Sequence, residues 1–313
     1  MRAVTIVDGH LEWREHPDPS PAPGETLVRV RSAGLNGADR LQVAGLYPAP
    51  AGSPPDIPGL ELAGEVVALG EGATRFSIGD RVMAVVGGGG QGELCCVAEA
   101  HLLPVPDEVA WEAAGGFPEA FTTAHDALFT QCALRAGDRV CVHGAAGGVG
   151  TAGVQLAAAL GCEVVATVRH EHLHGAVAAL GATVVDPVGF GEHGPFDVIL
   201  ELVGAPNLPA DIEALATGGR IAVIGVGAGA KAEINLLALM AKRARIHGST
   251  LRARSREEKA AAAAALEAHA LGLLAAGRLR VPIEAVYPLE EAPAAYERFA
   301  EGGKLGKIVL TAP

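Results

Sequence analysis

Six small residues, Ala145, Ala146, Gly147, Gly148, Val149 and Gly150, stand between the apolar run RVCVHG and the alanine-rich run TAGVQLAAALG. Strand, tight turn and helix in that order are what a dinucleotide pyrophosphate requires. Small side chains let the backbone approach the phosphates, and the helix amino terminus offers unpaired N–H groups and a partial positive charge. Set against the pattern GxGxxG ending at Gly150, the middle glycine is Gly147, and Ala145 replaces the first. A strand-to-helix turn with no ligand is the competing reading. A second strand arriving on cue favours the dinucleotide.

That second strand, CEVVATV, ends in Thr167, Val168, Arg169 and His170. NAD-preferring folds place a carboxylate about 20 residues after the glycines, where it binds the ribose hydroxyls. Here no carboxylate precedes Glu171, and a guanidinium suits a 2′-phosphate that a carboxylate would repel. Arg169 and His170 are therefore expected at the cofactor, and NADPH is favoured over NADH. Arg169 as a solvated cation is the plainer alternative. His170, His172 and His174 alternate, but they enter a helix, where only His170 and His174 could face alike. With no cysteine or carboxylate cluster beside them, an adenosine-side rim is preferred to a metal site.

The elements around these residues fall into two patterns. Up to about residue 120, short branched-apolar runs alternate with Gly and Pro turns, as in a β-rich, partly barrel-like domain. From Asp138, near-continuously apolar strands alternate with helices, which implies a parallel sheet covered on both faces. The run KAAAAAALEAHALGLLAAG is strong helix material with a stop at Gly277. The strand–helix–strand tail after it is expected to rejoin the first domain. The expected domains are thus 1–122 with 267–313, and 123–266.

Composition narrows the setting. The net charge of −12 shows no basic stripe, which argues against nucleic acid or anionic membrane as the main partner. No apolar run reaches the roughly 18 residues of a membrane span, and the amino terminus lacks a signal-peptide centre. Five scattered cysteines, without a CxxC pair, predict neither a disulfide framework nor structural zinc. A reduced, cytoplasmic setting is expected.

Several longer stretches carry a family resemblance. AGLNGADRLQVAGLYPAP, IPGLELAGEVVALGEGATRFSIGDRVMAV, GGGGQGELCCV, FPEAFTTAHDAL, HGAAGGVGTAGVQLA and GKLGKIVL span essentially the whole chain. Together they resemble the zinc-independent quinone oxidoreductase branch of the medium-chain dehydrogenase/reductases, most closely its p53-inducible type. The resemblance implies an α/β fold: a Rossmann doubly wound parallel sheet plus a GroES-like β-rich catalytic domain built from both chain ends. It also implies NADPH in a cleft, and a homodimer formed by edge pairing of Rossmann sheets.

It further implies the site. Zinc-dependent relatives carry a Cys ligand where this chain has Asn36 and a His ligand where it has Leu60; Glu61 alone is not a tetrahedral site. Without a Lewis acid, alkoxide formation at neutral pH loses its support, so electron-poor quinones or enones fit better than alcohols. Tyr47, by the family's spacing from Asn36, is the leading hydrogen-bond donor. Asn36 is expected to face nicotinamide and substrate, and Asp39 to orient either residue or to act as a cap. Thr123 and the backbone at Gly225, Val226 and Gly227 are expected around the nicotinamide, and Ser249 and Arg252 at cofactor or substrate. Where relatives hold the 2′-phosphate with a lysine and a tyrosine, this chain has His172–Leu173 and Asp186–Pro187. The resulting expectation is an NADPH-dependent, zinc-free reductase of quinones or activated enones. An enoyl-thioester reductase and a non-enzymatic NADPH-binding sensor or crystallin-like protein are the alternatives.

Overall fold

The structure, a computed structural model, describes residues 1–312. The chain divides into two compact units. One contains residues 1–122, 252–302 and the strand from 307; the other contains 123–251 and 303–306. The return point expected at residue 267 therefore moves to Arg252. The cause is the helix Arg256–Ala275, which packs on Leu102–Pro104 and the turn Glu99–His101 of the first unit. His101 Nε2 donates to the Arg256 carbonyl at 2.9 Å, fixing the start of that helix.

The first unit is built on a seven-stranded sheet. Its order is Ile283–Pro288, Lys307–Thr311, Glu25–Gly34, Glu61–Leu69, Arg81–Val85, Leu102–Pro104, with Leu94–Ala98 paired to Glu25–Gly34. Alternation along Glu25–Gly34 points Val28 and Val30 into a core with Leu62, Val66, Val82 and Val97. The last strand pairs antiparallel with it, Val309 opposite Gly34. Both ends of the chain thus meet in one sheet. Short helices, Gly37–Val43 and Trp111–Gly116, interrupt what reads in sequence as β structure alone.

The second unit is a six-stranded sheet, all of whose pairs are parallel. Its strands are β1 (Arg139–Val142), β2 (Glu163–Thr167), β3 (Thr183–Val185), β4 (Phe196–Glu201), β5 (Leu215–Val223) and β6 (Arg245–Gly248). They lie in the order β3-β2-β1-β4-β5-β6, the doubly wound arrangement. Two buried clusters cover the sheet: Val140, Val142, Val154 and Leu200 in one, Cys141, Val165, Ile199 and Ile212 in the other. This explains why the strand sequences are apolar without alternation.

The helix Gly148–Leu160 starts at the N-cap Gly147 and stops at Gly161, whose φ of 90° closes the last turn. Gly150 has a different reason to be glycine. A Cβ there would lie 2.5 Å from the Gly144 carbonyl oxygen, so the helix meets the strand turn only without one. Gly150→Ala is expected to cost about 1–3 kcal/mol through overpacking, measured as a lower urea midpoint with unchanged m.

Candidate active site

The loop after β1 leads directly into that helix amino terminus. Gly144 takes φ 60°, a left-handed value that turns the chain sharply out of the strand. Ala145 is buried and its N–H donates to the Thr167 carbonyl at 3.2 Å, tying the loop to the end of β2. The Ala146 carbonyl accepts from Gly306 N at 2.7 Å. Gly147, Gly148 and Val149 remain partly accessible at the first helical turn. Small residues and orphan helix N–H groups make a cradle that fits a pyrophosphate.

One strand over, Arg169 is exposed just past the end of β2. Its Nη2 lies 3.4 Å from His170 Nε2. The three histidines part company here. His174 Nε2 donates to the Val168 carbonyl at 2.8 Å, while the His170 and His172 rings lie 5.6 Å apart. Among the described residues, the grouping with metal-ligand proximity is elsewhere: His143, Glu201 and Asp211.

In the first unit, Asn36 caps the helix Gly37–Val43. Its Nδ2 donates to Glu61 Oε1 at 2.9 Å and to the Gly34 carbonyl at 3.2 Å. Its Oδ1 accepts from Lys307 Nζ at 2.7 Å. Both amide hydrogens are therefore engaged. Lys307, from the last strand, was not singled out in the sequence. Its ammonium lies 2.6 Å from Glu61 Oε1 and also donates to the Leu35 carbonyl. Glu61 Oε2 accepts from Glu119 N at 2.8 Å. A buried carboxylate beside an amide and an ammonium, with Leu60 packed in the core, does not match a tetrahedral zinc donor set.

Asp39 is fully buried. Its Oδ2 accepts from Asn36 N at 2.8 Å and Oδ1 from Gly59 N at 3.2 Å, so it caps the helix and pins the neighbouring loop. Burial pushes its carboxyl up to about 7, against the Asn36 hydrogen bond and Lys307. Tyr47 is half-buried on the segment after the same helix. Arg252, expected at cofactor or substrate, is instead buried and holds this segment. It donates to the Tyr47 carbonyl at 2.7 Å, to the Gly87 carbonyl at 2.9 Å and to Gln42 Oε1 at 2.6 Å, and stacks on the Tyr47 ring at 4.9 Å.

The remaining expected residues lie in the second unit. Thr123 is buried in the helix Pro118–His125. The Ser249 hydroxyl donates to Asp126 Oδ2 at 3.0 Å. Gly225 follows β5 so closely against the β4 turn that a Cβ would meet the Leu202 carbonyl oxygen at 2.2 Å, while Val226 and Gly227 are exposed.

The parallel sheet, the glycine loop and the β-rich unit define an oxidoreductase of the alcohol dehydrogenase type. Residues 22–126 match the family described as "Alcohol dehydrogenase GroES-like domain", and 176–310 match "Zinc-binding dehydrogenase". The human quinone oxidoreductase is 33% identical over 93% of this chain and 90% of its own length. The chain belongs to the quinone oxidoreductase branch of the medium-chain dehydrogenase/reductases. Acryloyl-coenzyme A reductase of Metallosphaera sedula is 31% identical over 99% of this chain and all of its own. Among solved structures, a mycobacterial protein complexed with NADPH has a TM-score of 0.87 at 27% identity, covering 99% of this chain and 100% of its own. An NAD-dependent alcohol dehydrogenase has a TM-score of 0.87 at 28% identity, both chains fully covered.

Two outcomes follow from the buried charges. Lys307→Met leaves the Glu61 carboxylate buried without its cation and is expected to cost about 3–5 kcal/mol; Lys307→Met/Glu61→Leu recovers most of it in urea titrations. For Asp39 the folded carboxyl titrates near 7, against an ordinary 3.8, so the folded state holds the proton longer. Its contribution is greatest below 3.8 and is lost as pH rises toward 7. Wild-type stability should fall across that range, and the fall should be absent in Asp39→Asn.

Proposed function

We propose that the chain reduces quinones or activated enones with NADPH, by hydride transfer and without zinc. The observation that carries this reading is the Glu61–Lys307–Asn36 arrangement, in which an ammonium neutralises the carboxylate where relatives of the zinc-dependent type place metal ligands. A site without a Lewis acid suits an acceptor that already carries its electrophilic carbon or oxygen.

NADPH, when bound, would supply the hydride from its dihydronicotinamide. The first turn of the helix Gly148–Leu160 would hold its pyrophosphate, and the Arg169 guanidinium its 2′-phosphate. The Tyr47 phenol donates a hydrogen bond to the acceptor oxygen as negative charge develops there. Asn36 keeps the pose in which Glu61 and the Gly34 carbonyl take its amide hydrogens, so it does not give a proton. Asp39 holds Asn36 in that pose.

In this reading the protein is a cytoplasmic homodimer. Support comes from cysteines that are all free, and from β6 at the sheet edge with Leu236, Leu237 and Met240 exposed on the preceding helix. No helix among the described residues is long and apolar enough to cross a membrane. A second reading, reduction of enoyl thioesters, has the acryloyl-coenzyme A reductase relative in its favour.

The test is NADPH oxidation with 1,4-benzoquinone, 9,10-phenanthrenequinone, a short enone and a short enoyl-coenzyme A. Turnover of the first three, lowered at least about tenfold in Tyr47→Phe, supports the proposal. Turnover of the thioester alone supports the second reading, and tight binding without turnover of any would leave a sensor. Arg169→Asp should weaken NADPH binding about 10–100-fold while changing NADH binding little; equal losses for both would make Arg169 a surface cation.

A further inference from the structure

The second unit buries a group of ionisable side chains that the reaction above does not use. His143, Glu201 and Asp211 are 1%, 0% and 0% exposed. The His143 ring donates through Nε2 to Asp211 Oδ1 at 2.9 Å, and its Nδ1 lies 3.0 Å from Thr167 Oγ1. Phe190 stands edge-on to the ring at 4.5 Å, and the Cys141 Sγ lies 3.8 Å from Nε2. Glu201 Oε1 accepts from the Val203 and Gly204 amides, and Oε2 from Asn207 Nδ2 at 3.0 Å.

A metal ion is a poor fit, because most of the ligand atoms are already hydrogen-bonded, Asp211 Oδ2 being the exception. His143 Nε2 is engaged with Asp211, and the Glu201 oxygens take three N–H donors. The electrostatics agree. Burial, the largest single influence, would lower the His143 pKa, but the hydrogen bonds to Asp211 and Cys141 and the charges beside them together outweigh it and carry it up to about 10. Burial and the neighbouring Glu201 raise Asp211 in spite of the imidazolium. The cluster therefore holds an imidazolium between carboxyls that share its charge.

The placement of the cluster is what gives it a role. His143 follows β1 and immediately precedes Gly144 of the cofactor loop. Thr167 is the last residue of β2, and its carbonyl accepts from Ala145 N. Glu201 is the last residue of β4, and its carbonyl accepts from Ile224 N and Gly225 N just beyond β5. The carboxyl ends of β1, β2 and β4 thus converge on one imidazole, with β5 tied to β4 through the Glu201 carbonyl, at the edge where doubly wound sheets bind nucleotides. A few main-chain bonds continue past the strand ends, and the buried side chains add a second set of ties between them.

We propose that His143 is a positioning residue for the dinucleotide, setting with Asp211 and Glu201 the spacing of the strand ends that form the cofactor edge. This rests on the reading that NADPH binds at the glycine loop. Loss of the imidazole leaves the fold standing but loosens the Gly144–Ala145 turn against the Thr167 strand end, with the bond from Ala145 N to the Thr167 carbonyl as their remaining tie.

The test compares NADPH dissociation constants, from fluorescence titration, with thermal midpoints. His143→Leu should lower both stability and affinity. His143→Leu/Asp211→Leu leaves Asp211's carboxylate out of the core and should recover much of the midpoint, yet bind NADPH about tenfold more weakly, the equivalent of one lost buried hydrogen bond. His143→Gln, which keeps a donor for Asp211, should restore affinity to within about threefold. Thr167→Val, nearly isosteric, cuts only the link to β2 and should weaken binding severalfold with little change in midpoint. Wild-type affinity in both the double variant and Thr167→Val would overturn the proposal, since affinity would then be independent of the cluster. Should the double variant fail to fold, Thr167→Val decides alone. A wild-type protein that binds neither NADPH nor NADH overturns this proposal and the functional reading beneath it together.

Discussion

Glu61 has no accessible surface, and a carboxylate so placed must be neutralised from within. The chain brings Lys307 to it from the far end of the sequence, and much of the first unit follows from that delivery. Lys307 begins the strand that pairs with both Glu25–Gly34 and Ile283–Pro288. The same ammonium fixes the amide orientation of Asn36, and Asn36 starts the helix that leads to Tyr47. Removing the ion pair would therefore disturb the sheet, the cap and the site together. A single desolvated charge ties the folding of the unit to the chemistry that it can host.

The second unit solves a similar problem differently. Its buried charges come in a cluster of mixed sign, and they bind to strand ends where the first unit binds a helix start. In both units buried side chains such as Lys307, Asn36 and Glu201 take several partners each, which makes their geometry stiff. Apolar packing supplies most of the burial, as the Val- and Ile-rich clusters indicate. The polar clusters then select one arrangement of loops from those that the packing would allow.

Much of this was legible in the sequence wherever sterics restrict residue type. Gly147 and Gly150 stand out because only small residues permit the turn and the close helix approach. Arg169 could be placed by counting along a strand, and Asn36 and Leu60 by what they are not. Other features left little trace. Lys307 reads as an ordinary strand residue, since its partner lies so far away in sequence. Arg252 acts on backbone carbonyls, which have no side-chain signature, and so it looked like a ligand contact. The alanine-rich helix announced its conformation but not which unit it packs on, because an alanine surface carries little directional information. The boundary was misplaced for that reason.

The hydrogen bond between Gly306 and the Ala146 carbonyl has a consequence for how the protein is made. Residue 306 is synthesised long after residue 146, whose carbonyl it braces. During synthesis the amino-terminal parts emerge first and begin to fold first. The parallel sheet can assemble around its own core, yet the Gly144–Gly150 turn lacks this brace until residue 306 has been made. The Ala146 carbonyl must be satisfied by water in the meantime. The turn is thereby completed only after synthesis has passed residue 306, when Lys307, the next residue along, also becomes able to meet Glu61.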